Sequence, residues 1–140
     1  MICFFNRADR LVLLSIGKWI EKHKEAVYET RAYSSFGYGA AEFEKGHFGG
    51  QSATMAYTEN DIRFALSKDN KHLYIYVLGL PAANSDLEIR NAIEPEIKRV
   101  SVVGSGVEVK WSETDNKLTI KTPNSNQMDE IATVFRIDFE

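Results

Sequence analysis

The sequence predicts an all-β protein, an antiparallel β-sandwich of about seven or eight strands preceded by one N-terminal α-helix. Three observations lead to this prediction. One segment near the N-terminus repeats its apolar residues with helical spacing, and the rest of the chain consists of short β-rich runs separated by turn residues. The length, 140 residues, suits a single domain.

The helix is predicted at 8–24, where Leu11, Leu14, Ile16 and Ile20 follow a period near 3.6 and Asp9 is placed to cap the start. Its apolar surface is wider than contact with a sandwich edge requires. We therefore expect the helix to pack against something larger and, where that body is missing, to fold back on the sandwich or to be buried in a homodimer. The predicted organisation is a helical segment at 1–25 and a sandwich domain at 26–140.

The strands are predicted from short runs of β-branched and aromatic residues that alternate with polar ones. Turn residues that tolerate positive φ separate several of these runs, at 68–71, 104–106 and 114–116. The runs lie at 62–66, 73–78, 87–93, 97–103, 107–111, 117–121 and 131–139.

A glycine-rich and aromatic loop is predicted at 34–56. It is long for a loop within a compact domain, which is typical of a functional or partner-anchored segment. Aromatic faces stack on sugar rings, so the aromatic residues in and beside the loop are candidate ligand-binding residues, although such residues also fill domain interfaces. These candidates are Tyr33, Phe36, Tyr38, Phe43 and Phe48.

Composition argues against several function classes. The net charge of −3 provides no basic surface for nucleic acid. The apolar stretch at residues 1–5 is too short for a signal peptide or a membrane span, so we expect no membrane partner, while the compartment stays open. Cys3 is the only cysteine, which excludes an intrachain disulfide.

No catalytic constellation is predicted in this chain. The closest candidates for the carboxylate pair that glycoside hydrolysis needs are Glu42, Glu44, Glu59 and Asp61. They fit a solvated polar rim, and we expect Asp61 to close the turn before the strand at 62–66. The three histidines lack the spacing of metal ligands, and we expect neither a metal nor a cofactor.

Four places in the chain, one of them made of two neighbouring segments, resemble the C-terminal region of α-L-fucosidases, glycoside hydrolase family 29. Residues 16–31 are similar to the join between the last barrel helix and the C-terminal β-sandwich of that family. Residues 57–64 and 73–81 resemble its first sandwich strands, 100–111 its G-S hairpin, and 133–137 its closing strand. The chain departs from the family at the join, where His23-Lys24 replaces Asn-Gly, Glu29 replaces Gly, and Ala32-Tyr33 replaces Pro-Trp.

The resemblance implies a non-catalytic tail made of the last barrel helix and the sandwich. The catalytic carboxylates of the family belong to the barrel, and no residue here matches the motifs around them. A barrel of that type takes about 250 residues, which exceeds this chain. The partners implied are the catalytic barrel and a fucosylated glycan, and parent proteins of this family are often periplasmic, secreted or lysosomal. The alternative is a stand-alone carbohydrate-binding or protein-interaction module.

Overall fold

A computed structural model describes residues 7–39, 57–90, 93–94 and 96–140. The predicted architecture is confirmed: a helical N-terminal segment precedes two antiparallel sheets. The helices are α1 (Arg7–Lys22) and α2 (Lys24–Tyr28), and the described strands are β1 (Thr30–Arg31), β2 (Gly37–Tyr38), β3 (Ile62–Ser67), β4 (His72–Val77), β5 (Asp86–Ile89), β6 (Ile97–Val102), β7 (Trp111–Thr114), β8 (Lys117–Lys121) and β9 (Thr133–Phe139).

The larger sheet has the strand order β1-β3-β4-β9-β6, with β2 also pairing with β3. The smaller sheet has the order β5-β8-β7. Every pairing is antiparallel. The predicted turns are confirmed where Asn70, Gly104, Asp115 and Asn116 adopt positive φ. The last two form the two-residue connection between β7 and β8 that favours such residues.

The main core lies between the two sheets and is formed by alternate residues of the strands. These side chains are apolar and nearly or fully buried, as the period-2 pattern predicts. The largest of them are Ile62, Leu73, Ile75, Ile89, Leu118, Ile120, Phe135 and Ile137.

The predicted strand at 107–111 differs from the structure because this segment crosses from one sheet to the other. Val107 accepts a hydrogen bond from Val102 N, and Val109 N donates to Val100 O, which places the start of the segment beside β6. Lys110 O then accepts from Lys121 N, and the regular strand β7 begins only at Trp111, beside β8. The alternation of apolar and polar residues at 107–111 shows that one side of the segment is buried. It does not show that the backbone hydrogen bonds pass from β6 to β8 within the segment.

The outward face of the larger sheet is divided into two halves. Near the start of β9 it is apolar and covered by the helices, with Ala26, Tyr74, Val103 and Val134 forming a second buried cluster. Towards the end of β9 it is polar and flanked by cavities. Two of the candidate functional regions of the domain, the joint with the helices and a polar cluster, lie on this face.

Candidate functional site

The join between helix and sandwich is held by Trp19 at the C-terminal part of α1. Its indole Nε1 donates a hydrogen bond of 2.9 Å to Ala132 O, in the residue preceding β9. Its ring stacks on His23, with centroids 4.3 Å apart and an interplanar angle of 21°. A tryptophan with a satisfied N–H is suited to such a half-buried joint.

His23 lies at the break between α1 and α2, and only 1% of it is exposed. Its Nδ1 is 2.8 Å from Trp19 O; because a carbonyl only accepts, Nδ1 carries the proton. Burial lowers the pKa of His23 below its ordinary 6.5, despite the backbone hydrogen bond and the nearby Asp129. The neutral imidazole is therefore part of the packed joint.

Helix α2 is clamped to the sheet through both its backbone and a side chain. Ala26 is completely buried, and its carbonyl accepts a hydrogen bond from the Tyr76 hydroxyl. Glu25 accepts from Arg136 Nη1 at 3.0 Å and from the Tyr74 hydroxyl at 3.4 Å. Burial raises the pKa of Tyr76 to about 12, and burial together with Glu25 raises the pKa of Tyr74 to about 12. Both phenols therefore stay protonated donors at neutral pH.

Helix α1, all of whose residues the structure describes, has no buried residue. Val12, Ile16, Trp19 and His23 lie on one stripe at helical spacing, and the last two rest on the sandwich. The stripe continues past the joint, where Val12 is 58% and Ile16 46% exposed. The remaining apolar residues of this part of the helix are also about half exposed: Leu11, Leu13 and Leu14.

The predicted aromatic ligand-binding residues separate into packed and exposed members. Tyr33 and Tyr38 both pack on Phe64, with centroid distances of 5.8 and 6.3 Å. The Tyr38 hydroxyl donates to Glu88 O at 3.4 Å and accepts from Arg90 N at 3.0 Å, which links the larger sheet to β5. Burial raises the pKa of Tyr38 above its ordinary 10.0. These two residues form part of the packing at one end of the sandwich.

Phe36 is 74% exposed, and the Arg63 guanidinium lies 5.7 Å from its ring centroid. Arg63 is fixed by hydrogen bonds to Tyr38 O (3.0 Å) and Ile62 O (2.8 Å). Gly37, with φ of 140°, passes so close to β3 that a Cβ atom would lie 2.0 Å from Ile62 O. The exposed ring is therefore carried on a closely constrained backbone. Phe43 and Phe48 lie outside the described residues.

The carboxylates considered for glycoside hydrolysis do not form a pair in the described structure. Asp61 is fully buried and accepts hydrogen bonds from Thr58 N (2.7 Å) and Oγ1 (3.2 Å), which confirms its predicted role in the turn. Glu59 is exposed, and Glu42 and Glu44 lie outside the described residues. Within the described residues, no group of three or more histidine, cysteine or acidic side chains is placed to bind a metal.

A polar cluster on the open half of the outer sheet face is not apparent from the sequence. Asp138 accepts from Arg99 Nε (2.9 Å) and Nη2 (2.7 Å) and from His72 Nδ1 (2.6 Å), and it pairs with Arg136 Nε at 3.0 Å. Burial raises the pKa of Asp138, but the Arg99 hydrogen bonds, Arg136 and His72 hold it below 3.8. These residues come from three strands, and only the sheet register brings them together. The polar alternation of Arg136 and Asp138 in β9 is the sequence signal that points to this face.

The model of the α-L-fucosidase C-terminal domain family matches residues 55–138, more than half of the chain. The chain belongs to this family. The matched range runs from before β3 into β9, and the elements that precede it are α1, α2, β1 and β2. No protein of curated function matches the chain.

Solved structures extend the similarity to the helices. The α-fucosidase of Thermotoga maritima is 19% identical, with a TM-score of 0.66 over 96% of this chain and 27% of its own. The Bacteroides thetaiotaomicron GH29 α-L-fucosidase is 15% identical, with a TM-score of 0.62 over 96% of this chain and 25% of its own. Isoenzyme 1 of the Paenibacillus thiaminolyticus α-L-fucosidase is 16% identical, with a TM-score of 0.62 over 96% of this chain and 27% of its own.

The fucosidase C-terminal domain therefore spans about a quarter of the length of the structures it resembles. Their coverage of this chain reaches well beyond the family match, so α1 and its join to the sandwich are part of the shared fold. The aromatic ligand-binding set predicted from the sequence remains a prediction. None of the described helices is both long and apolar enough to cross a membrane.

Proposed function

We propose that this fucosidase C-terminal domain braces the catalytic barrel of an α-L-fucosidase and contacts it through α1. The observation that carries the proposal is the difference in exposure along one apolar stripe of α1. Trp19 and His23 pack on the sandwich, whereas Val12 and Ile16 on the same stripe are exposed to solvent. An apolar surface of this kind is typical of a contact with another protein body. The stretch from Leu11 to Leu14 is apolar on nearly every side of the helix, which suits it to lie between two bodies.

The chemistry of the described residues supports a bracing role over a catalytic one. Glycoside hydrolysis requires two carboxylates facing one sugar. Asp61 is occupied inside a turn, and Asp138 is held by two arginines and a histidine. In this proposal the reaction takes place in the barrel, and the loop at 34–56 contributes to the rim of the sugar pocket.

The first experiment is to read the coding DNA directly upstream of the Met1 codon for a frame that encodes a barrel. In the two-domain protein so defined, Leu14→Asp should lower the thermal unfolding midpoint by several degrees. In the 140-residue chain alone, diluted until it is monomeric, the same change should have little effect. Ala8→Asp, at another exposed position of α1, is the matched control. Equal effects of both variants in the two-domain protein would contradict the bracing role.

For the chain without a barrel, we propose that α1 is buried in a homodimer. Light scattering after size-exclusion chromatography should give twice the monomer mass, and Leu13→Asp should return the protein to a monomer. A wild-type monomer whose α1 is protected from hydrogen exchange would contradict the dimer.

A second candidate function, a stand-alone carbohydrate-binding module, is favoured by Phe36. Its exposed ring, the adjacent Arg63 and the constrained Gly37 backbone suit stacking on a sugar. Titration calorimetry with a fucosylated glycan should show a binding component that Phe36→Ala removes and that Tyr28→Ala, at another exposed aromatic residue, leaves unchanged. Absence of binding to the wild-type chain would exclude this function.

A further inference from the structure

The open half of the outer sheet face contains two adjoining cavities. One, of about 570 Å³, lies between the α1–α2 junction and the turn at Gly104, and the other, of about 750 Å³, lies towards Asn70 and Phe139. Arg99 and Glu108 line both, so the cavities meet at this ion pair. Together they form a polar groove across the face. Each cavity falls in the size range of small-molecule sites.

The floor of the polar groove is rigidly organised around Asp138. Only 9% of its side chain is exposed, and both of its oxygens are engaged by Arg99, Arg136 and His72. A guanidinium carries five N–H donors, so these contacts leave further N–H groups on both arginines. The buried carboxylate therefore fixes the orientation of two donor-rich groups before any ligand arrives.

Each arginine of the floor is paired with a glutamate at the rim. Glu108, whose side chain is 64% exposed, accepts from Arg99 Nη1 at 3.2 Å. Glu25, whose side chain is 45% exposed, accepts from Arg136 Nη1 at 3.0 Å. Each pair thus presents a carboxylate acceptor directly beside a guanidinium donor. Two neighbouring hydroxyls of a sugar match this arrangement, because one donates to the carboxylate while the other accepts from the guanidinium.

The charge of the polar groove selects among possible ligands. Basic and acidic side chains line it in nearly equal numbers, so it has no field of one sign to attract a polyanion. Dense donors and acceptors with little net charge favour an uncharged ligand that has many hydroxyls. We propose that the polar groove is a binding site for neutral oligosaccharides, in which Arg99–Glu108 and Arg136–Glu25 each hold a pair of adjacent hydroxyls. This site is separate from Phe36 and does not depend on the proposed contact with a barrel.

The test is a ¹H–¹⁵N NMR titration of the full chain with lactose, fucosyllactose and sialyllactose. We expect saturable shifts of the amides of Arg99, Ser101 and Glu108 with the two neutral sugars. Glu108→Gln keeps the shape but removes the charged acceptor, and it should weaken binding by about tenfold. Glu113→Gln, at an exposed position of β7, is the matched control and should bind like wild type.

Four results would overturn the proposal: no shifts in the groove at tens of millimolar sugar, shifts confined to the surroundings of Phe36, unchanged affinity in Glu108→Gln, or binding of sialyllactose alone. The last would identify an anion site. Because Glu108 is exposed, its variant should fold, and the dispersion of the same spectra verifies this in each titration.

Discussion

The two helices on either side of His23 differ in what holds them. Helix α2 has only five residues, too few for a stable isolated helix, yet its Ala26 is fully buried and its Glu25 is bound by Arg136. Helix α1 has sixteen residues, and within the described structure none of them is buried. The short helix is stabilised by tertiary contacts, whereas the long one depends on its own hydrogen bonds and on one anchored end.

The difference separates a helix that is packed on its own domain from one whose apolar side chains are largely exposed. Ala26 of α2 faces the sheet and packs in the second buried cluster. The apolar side chains of α1 between Leu11 and Ile16, on the N-terminal side of Trp19, are exposed to solvent. Substitutions in the two helices should therefore have very different effects on the isolated chain.

The largest effect is expected at Ala26. Ala26→Asp would place a charge inside the cluster with Tyr74, Val103 and Val134, which should lower the free energy of unfolding by about 3 kcal/mol. Ala8→Asp, in the exposed first turn of α1, should change it by less than about 0.5 kcal/mol. Urea denaturation of both variants measures the difference, and similar losses would remove the distinction between the helices.

Trp19 should be next, because it is the one α1 residue that both stacks on the joint and bonds to the sandwich. Trp19→Ala should cost about 2 kcal/mol through lost packing and the lost hydrogen bond to Ala132 O. Trp19→Phe retains the stacking but not the bond and should cost about 1 kcal/mol. Denaturant titrations of the three proteins give these values; equal loss in both variants would mean that the stacking contributes nothing.

The joint should also respond to pH through His23. Its folded pKa is lowered, so the unfolded chain takes up a proton more readily than the folded one. The full stability is present above about pH 6.5 and is lost progressively as the pH falls from 6.5 through the folded pKa. Thermal melts between pH 7.5 and 5.5 should show this slope in wild type and a smaller one in His23→Gln. The same slope in both proteins would assign the effect to another group.

A smaller effect is expected from the clamp of α2. Glu25 is 45% exposed, so solvent screens its ion pair with Arg136, and Glu25→Gln should cost less than about 1 kcal/mol. The loss should diminish in high salt. Lys24→Gln is the control: its partner Glu21 has a side chain that is 78% exposed, so this change should alter the stability by less still. A loss that does not depend on salt would show that the clamp acts by packing.

The smallest effect is expected on the apolar part of α1. Leu14 is 51% exposed, so Leu14→Ala in a monomeric chain should change the free energy of unfolding by less than about 0.5 kcal/mol. Measuring the urea midpoint over a range of protein concentrations separates this from a dimer, in which the loss would be larger and would fall on dilution. A large loss independent of concentration would mean that α1 packs on its own domain.

The sequence predicts the strands well where alternation and turn residues agree. The strand predicted at 117–121 has the bounds of β8, and that at 62–66 is one residue shorter than β3, because each follows a residue pattern that the core and a tight turn both enforce. The segment at 107–111 alternates equally well but changes sheets, which no local pattern reveals. Helix α2 was also unpredictable, because its stability comes from residues of β4 and β9.

The candidate sites show the same division. The sequence identifies Tyr33, Phe36 and Tyr38 as aromatic residues beside a long loop, but their directions depend on Phe64 and Arg90, in other strands. The Asp138 cluster requires the register between β4, β6 and β9. The residue types show which interactions a side chain can make, and the pairing of the strands decides which side chains lie close enough to make them.

Because α1 ends at the break at His23, a small change of angle there becomes a large displacement at the other end of the helix. Sixteen residues of α-helix extend about 24 Å, so a change of about 10° in the angle at the joint moves the far end by about 4 Å. Any body attached near Arg7 would be carried with it. A side-chain adjustment under Trp19, too small to disturb the sandwich, would thus become a displacement large enough to reposition a neighbouring domain.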